Sequence, residues 1–497
     1  MIPRRELLLS HALLIPPPRW VDVPLDPALL HKYPLRDYQL AIVFEVIDLM
    51  VRGYRRILIQ LPTGGGKTKI AEAILGIVRE LGYAGQFIVH RKELINQTSR
   101  TFDAAGLRHG FIAAGRPMGY DASLTIAGVQ TLVTRLGADR HRDLIMPDEC
   151  HHTTSASWSK VLRHNSEAFV VGLTATPERL DGRGLDEHFE AMVCGPTTAE
   201  LIASGYLSPF DYFAPTIPDL SGVRTLAGDY AQAGVVEVMD KPKIIGDIVE
   251  HYLTLGPGLK GIGFAPSRDY SRKVVDAFNG SGVRAAHLDG ETPDDERARI
   301  DAAYREGAIQ MLSNVSLLGE GYDVPDASYL GDWAPTKSLI NFLQRDGRVL
   351  RIGGAVRAII ADHAGNCFTH GLPDDEREWS LQGRAARLAA AKGASDATPV
   401  RQCLTCYRVS PSLVPVCPGC GTAFPSQARV VVEEAGSLSK VDREMLKRKA
   451  TAVRKAEERN CGSHAEFVAL HKARGYTSDP NKWARMKISF RNNYARQ

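Results

Sequence analysis

At 497 residues the chain is too long for one hydrophobic core and predicts about three domains. Its 44% hydrophobic and 24% charged residues are those of a folded protein, which excludes disordered and fibrous classes, and no run nears the ~18 uninterrupted apolar residues of a membrane helix, so no membrane partner is expected. The net charge of +4 is unevenly spread: residues 440–497 carry fifteen Lys or Arg against six Asp or Glu, which leaves residues 1–439 at −5.

Residues 1–32 form an N-terminal extension. Arg4 and Arg5 precede two apolar stretches, Leu7–Leu9 and His11–Ile15, as in a secretory signal, but Glu6, Ser10 and His11 interrupt the run and Pro16–Pro18 stand where small cleavage-site residues belong. A cytoplasmic location is expected. From there on, short apolar runs alternate with helical stretches, the pattern of parallel α/β sheets. A first block, residues 33–210, holds Arg56–Gln60, Gln86–His90, Leu124–Ala127, Asp143–Met146 and Phe169–Leu173. A second, residues 243–385, holds Gly261–Ala265, Val283–Leu288, Gln310–Asn314 and Val356–Ile360. Between them, residues 211–242 contain Pro215, Pro218, Pro242 and several glycines and read as an irregular connector. Residues 386–400 read as a linker, residues 401–425 hold four cysteines, and residues 426–497 form a basic, mainly helical tail.

The strand at Arg56–Gln60 runs into Leu61-Pro62-Thr63-Gly64-Gly65-Gly66-Lys67-Thr68 and then into a helix expected from about Lys69. Strand, glycine-rich loop and helix in that order form a phosphate-binding loop, in which backbone N–H groups and the helix N-terminus point at phosphate oxygens. Thr63, Gly64, Gly65 and Gly66 would cradle ATP, Lys67 would reach its β and γ phosphates, and Thr68 would hold magnesium. Leu61 stands where the general motif has its first glycine. Downstream, the apolar run Asp143–Met146 ends in Pro147-Asp148-Glu149-Cys150-His151, which puts two acids at the end of a strand where open α/β sheets bind ligands. Asp148 suits the magnesium ion and Glu149 the activation of water.

Asp148-Glu149-Cys150-His151 resembles the D-E-x-H box of superfamily 2 helicases, and Leu173-Thr174-Ala175-Thr176-Pro177 resembles their motif III. The resemblance implies that His151, Thr174 and Thr176 couple the γ-phosphate to the nucleic-acid side. Leu35-Arg36-Asp37-Tyr38-Gln39 resembles the adenine-sensing element, with Arg36 near the nucleotide and Gln39 reading the base edge. Gln344-Arg345-Asp346-Gly347-Arg348-Val349-Leu350-Arg351 resembles motif VI, which makes Gln344 a nucleotide contact and Arg348 and Arg351 candidate arginine fingers. Gly319-Glu320-Gly321-Tyr322-Asp323 resembles motif V, with Asp323 at the ribose. On the nucleic-acid side, the resemblance assigns Arg91 and Lys92 to motif Ia, Gln130 and Thr131 to the next contact, and Arg268 to motif IV; such residues suit phosphate contacts that do not read sequence. The implied fold is two tandem RecA-like parallel-sheet domains, and the implied function is an ATP-dependent DNA helicase or translocase of repair, recombination or phage DNA metabolism, acting on single-stranded or branched DNA. A DNA clamp without unwinding and a restriction-system motor are the alternatives. No P-D…[DE]-x-K nuclease pattern follows residue 385.

Cys403-x-x-Cys406 and Cys417-x-x-Cys420 are two tight pairs ten residues apart, a pattern that supplies four thiolates to a structural zinc ion. Cys150, Cys194, Cys367 and Cys461 have no such neighbours. In the tail, basic residues alternate with Phe467, Tyr476, Trp483, Phe490 and Tyr494, which suits either stacking on bases or the core of a small helical domain. The ribbon and tail are also candidate contacts for a protein partner. The helicase core, the cysteine knuckle and the basic end together resemble the RadD-like branch and related phage-borne helicases.

Overall fold

The strands of the protein pair in parallel into two sheets whose active edges face each other. The computed structural model describes Leu29 and residues 32–425, except 153–155, 180–181, 216, 227, 316, 318–325 and 384–397; beyond them it describes residues 457–458, 461, 463–474 and 479–494. The expected ribose contact Asp323, nearly all of the 386–400 linker and the first half of the basic tail lie outside the described residues.

Helix α1 (Asp37–Val51) starts at a reciprocal cap: the Gln39 side chain accepts the Arg36 N–H at 2.9 Å. Then come β1 (Arg56–Gln60), α2 (Lys67–Glu80), β2 (Gly85–Val89), α3 (Lys92–Ala104), β3 (Gly110–Ile112), β4 (Leu124–Gly128), α4 (Val129–Val133), β5 (Leu144–Pro147), α5 (Ala156–His164), β6 (Phe169–Thr174) and β7 (Ala191–Cys194). Their sheet has the order β3-β4-β2-β5-β6-β1-β7, parallel throughout. Strands β2, β4, β5 and β6 are buried along their whole length, as a sheet covered by helices on both faces requires. This order decides the chemistry. Strand β6 lies between β1 and β5, so the phosphate loop, Thr174 and the Asp148-Glu149 pair leave three neighbouring strands at the same edge.

Helix α6 (Thr198–Ala203) leads to the second sheet, built from β8 (Phe210–Phe213), β11 (Gly261–Phe264), β12 (Ala285–Leu288), β13 (Met311–Asn314), β14 (Tyr329–Asp332) and β15 (Ala358–Asp362) in the order β12-β13-β11-β14-β15-β8. Around it lie a two-strand hairpin, β9 (Thr225–Leu226) with β10 (Asp229–Tyr230), and helices α7 (Gln232–Met239), α8 (Pro242–Leu255), α9 (Arg268–Gly280), α10 (Asp294–Arg305), α11 (Leu339–Asp346) and α12 (Cys367–His370). The connector expected at 211–242 is therefore not one. Its first residues form β8, which pairs in parallel with β15 and closes the second sheet, and α7 packs Val235 and Met239 into that unit's core. Three other strands, β3, β7 and β14, were not apparent as apolar runs: β3 is three residues long, β7 has only Val193 buried, and β14 is Tyr-Leu-Gly-Asp. Glycine appears there because Trp333 lies flat on the sheet. A Cβ at Gly331 would come within 2.6 Å of the Trp333 ring and one at Gly263 on β11 within 2.0 Å.

Past residue 397, β16 (Val400–Gln402) and β17 (Val409–Pro411) form the hairpin that carries the first cysteine pair. It sits on the free edge of β8: the Ala214 N–H donates to Tyr407 O at 3.0 Å, and Gln402 donates to Ala214 O. Residues 426–497 form a separate unit. There α13 (His464–Ala473) and α14 (Pro480–Tyr494) enclose Cys461, Phe467 and Ala484, with Trp483 packed on them, so these two tail aromatics serve a core. Among the described residues no helix is long and apolar enough to cross a membrane.

The glycine–indole contact generates a stability prediction. Gly263→Val is expected to destabilise the second α/β unit by roughly 3 kcal/mol, because the indole has no void to move into; a urea titration followed by tryptophan fluorescence measures it, and an unchanged midpoint would refute the packing argument.

Candidate functional site

Glycine geometry shapes the phosphate loop. Gly64 and Gly66 have φ of +85° and +86°, values that other residues rarely adopt, and the Gly65 N–H closes a turn on Pro62 O at 3.0 Å. Helix α2 starts at Lys67, two residues earlier than the sequence pattern suggested, so Lys67 and Thr68 belong to its first turn. The Lys67 ammonium donates to Leu61 O at 3.2 Å. From the next strands, Glu149 has φ of +47° and its N–H donates to the Asp148 carboxylate at 3.0 Å. His151 Nδ1 lies 3.5 Å from Glu149 Oε2 and 3.4 Å from Thr174 Oγ1, and Thr174 Oγ1 accepts the Thr176 N–H at 3.1 Å. Acid, histidine and threonines thus form one buried chain, and Thr176 Oγ1 at its end has no hydrogen-bond partner among the described residues.

The second sheet closes this site. A methyl group on Gly347 would approach Thr63 Cβ to 2.6 Å, and one on Gly64 would approach Leu207 to 2.8 Å and Arg351 Cγ to 3.8 Å. The two α/β units touch at the phosphate loop itself. Between them is a cavity of about 340 Å³ lined by Thr63, Gly64, Gly66, Lys67, Thr68, Asp148 and Glu149 from one side and by Arg348 and Arg351 from the other, with Arg36 and Tyr206 at one end. Four cations against two carboxylates give it the charge a triphosphate with a divalent ion would neutralise. Three arginines fall within residues 345–351, of which the sequence marks Arg348 and Arg351 as the candidate fingers. Arg345 is the anchor: it pairs with Asp332 at the end of β14 at 3.0 Å and donates to Ala334 O at 2.6 Å, which fixes α11 and directs Arg348 to the cavity.

Two expected nucleotide contacts do not reach this space. Gln344 is buried within α11, 1% exposed, and does not line the cavity. Gln39 is 3% exposed, its carbonyl taken by the Arg36 N–H and its amide donated to Gly65 O at 3.2 Å. Tyr206 was missed, because a lone tyrosine in Ala-Ser-Gly-Tyr-Leu carries no pattern; it sits 4.3 Å beneath the Arg36 guanidinium.

A second groove, of about 850 Å³, is lined by Arg91, Gln232, Ser267, Arg268 and Arg272 and by Asp269, Asp289 and Glu291. Of the expected nucleic-acid contacts, Arg91 and Arg268 line it. Arg268 is held by Asp289 at 3.0 Å and Glu291 at 2.7 Å, and Arg91 donates to Leu317 O at 3.2 Å. Lys92 pairs across the units with Asp294 at 2.8 Å, while Gln130 donates to His90 O at 3.3 Å and Thr131 is half-buried on α4. Carboxylates thus hold Arg268 and Lys92, while backbone carbonyls take the Arg91 and Gln130 donors.

The four cysteine sulfurs all lie within 4.8 Å of one another, with Cys403–Cys420 and Cys406–Cys417 at 3.6 Å. A tetrahedron with ~2.3 Å zinc–sulfur bonds has its sulfurs about 3.8 Å apart, so the set fits one such ion. Each knuckle turns the same way: Tyr407 N–H donates to Cys403 O and Gly421 N–H to Cys417 O, with φ of +60° and +74°.

Burial, and after it the charge of Glu149, push the Asp148 carboxyl up to about 6, against the pull of Lys67. A raised carboxyl favours the folded state fully below the unfolded pKa near 4, and that contribution is lost as pH rises through about 6. Asp148→Asn is therefore expected to raise the first unfolding transition of the nucleotide-free protein at pH 8 by a few degrees, roughly 1–3 kcal/mol, with the gain gone by pH 4. Scanning calorimetry at both pH values tests this; the same gain at each would exclude burial of charge as the cause.

The family of the type III restriction enzyme res subunit matches residues 32–179, and that of the helicase conserved C-terminal domain matches residues 240–353. The 51.5 kDa protein of a Lactococcus phage (isolate 7-9) is 32% identical over 401 residues, 80% of this chain and 85% of that one. A Saccharomyces cerevisiae protein named as an ATP-dependent helicase, IRC3, is 28% identical over 345 residues, 64% of this chain; the chain spans about half, 49%, of the yeast protein. A fragment assigned as the HsdR subunit of a type I restriction enzyme from Vibrio vulnificus shares the fold, with a TM-score of 0.56, 19% identity and coverage of 71% of this chain and 68% of that one. One match falls on each parallel-sheet unit, the two units share a cavity built from the motifs of both, and the phage relative aligns along most of its length: the chain belongs to the superfamily 2 helicases.

Proposed function

We propose that the protein is an ATP-driven motor that hydrolyses ATP when bound to DNA and moves along or separates its strands. The observation that carries this reading is the shared cavity, in which Lys67, Asp148 and Glu149 of one α/β unit face Arg348 and Arg351 of the other. Lys67 would reach the β and γ phosphates, Thr68 and Asp148 would hold magnesium, and Glu149 would accept the proton of the attacking water. Magnesium, when bound, neutralises charge that builds up between the β and γ phosphates. Arg348 and Arg351 add positive charge only while the units are closed, so hydrolysis and closure depend on each other. The Glu149–His151–Thr174 chain carries that state away from the phosphates.

DNA is the proposed substrate. Arg91, Arg268 and Arg272 line a groove across both units, as nonspecific phosphate binding needs, and the family that matches the first unit takes its description from a restriction enzyme. That description also supports a second reading, the motor of a restriction system whose nuclease is on another chain. The cysteine set would hold structural zinc, with its four thiolates leaving no position open for chemistry.

Lys67→Ala, Glu149→Gln and Arg348→Ala are each expected to lower DNA-stimulated ATP turnover on the order of a thousandfold or more. Measurements of ATP hydrolysis and strand displacement with single-stranded, duplex and forked DNA and with RNA test the function. Stimulation by RNA alone overturns the DNA assignment, and hydrolysis that requires an unmethylated recognition sequence favours the restriction motor. For the knuckle, the purified protein is expected to contain one zinc per chain and Cys406→Ser with Cys417→Ser to contain none; a metal-free wild type with normal thermal stability would refute the site.

A further inference from the structure

The cavity differs from its expected form at the end where the nucleobase would lie. Gln39, the expected reader of the base edge, is held in place by backbone. It is residue three of α1 and closes that helix's cap through the Arg36 N–H, and its other amide atom supports Gly65 O. The Tyr38 hydroxyl donates to the same Gly65 oxygen at 2.7 Å, and Arg36 donates to the Tyr38 hydroxyl at 3.1 Å. A Cβ on Gly66 would lie 2.3 Å from the Gln39 amide nitrogen, so the side chain is pressed against the loop. Turning it to a base would break the cap bond to the part-buried Arg36 N–H and remove one of the two donors to Gly65 O, which offsets the bonds gained. What the cavity does present is one flat stack. The Arg36 guanidinium lies over the Tyr206 ring at 4.3 Å, and both line the cavity. Tyr38 supports Tyr206 from the side, with ring centroids 5.5 Å apart.

We infer that the base is held by stacking against the Arg36–Tyr206 pair with its edge unread, so that the site does not select the base edge and takes GTP as well as ATP. This rests on the nucleotide reading of the cavity given above. Stacking uses the π-face that every base has, whereas a site that hydrogen-bonds an edge rejects a mismatched edge by several orders of magnitude. Gln39 is then a positioning residue of the phosphate loop, and Tyr206, which also packs against the core of the second unit, links base binding to closure.

The test is steady-state hydrolysis of ATP and GTP by the full chain at saturating single-stranded DNA. The wild type is expected to show kcat/KM values for the two within tenfold. Tyr206→Ala is expected to raise KM for both about tenfold, and Tyr206→Phe to recover most of that loss. Gln39→Glu, which keeps the cap and loses the bond to Gly65 O, is expected to lower kcat for both nucleotides by the same factor, leaving their ratio unchanged. A preference for ATP of a hundredfold or more that collapses in Gln39→Glu overturns the inference and leaves the ATPase reading standing, as does an unchanged KM in Tyr206→Ala. A wild type that hydrolyses neither nucleotide overturns the ATPase reading, and this inference with it.

Discussion

The close approach of the two α/β units at the phosphate loop is the constraint on which the rest of the structure depends. Thr63 and Gly347 meet with no room for a side chain on the glycine, and Gly64 lies under Leu207 and the Arg351 stem. Because the second unit rests on the loop itself, a ligand there changes the contact between the units directly. No long pathway is needed to couple nucleotide to domain motion. Gly64 meets two demands at once: positive φ, which shapes the loop, and the absence of a Cβ, so that Leu207 and the Arg351 stem can close over it.

Around that contact, charge is buried and then balanced locally. Asp148 is raised by its burial and by Glu149 and pulled down by Lys67 of the same unit, and two arginines of the other unit line the same cavity. A similar arrangement holds α11. Asp332 sits inside the second unit, Arg345 and Asn366 bind it at 3.0 and 2.7 Å, and Tyr212 donates to the neighbouring Asp362 at 3.1 Å. Burial pushes Asp362 up to about 6, with Asp332 adding to the shift. Satisfying these groups fixes one helix orientation, and that orientation decides which arginine faces the cavity and which anchors the helix.

The cysteine knuckle has a structural place that its metal-ligand spacing does not reveal. Strand β8 ends the second sheet and would expose a row of unpaired backbone groups. The knuckle covers that edge through Tyr407 O, Gln402 and Arg408, the last of which pairs with Asp211. Its positive-φ tyrosine is part of this contact. At the second groove, Asp289 and Glu291 hold Arg268, so an anion bound at that arginine would exchange one set of ion pairs for another.

The sequence alone determined the order of the chemistry. A strand, a glycine-rich loop with Lys67 and Thr68, paired acids after an apolar strand, motif-like threonines and a late arginine cluster are local patterns, and local backbone geometry is enough to make each recognisable. Periodicity gave most of the buried strands for the same reason. It missed β14, where glycine and aspartate replace apolar residues to fit Trp333 and Arg345, and it misread β8, whose place in the sheet comes from pairing with β15, about 150 residues away. Only tertiary structure decided that β6 puts its threonines between loop and acids, that Gln39 supports the loop, that Gln344 is buried, and that Tyr206 faces Arg36. Those outcomes depend on contacts between segments far apart in the chain, and no local pattern records them.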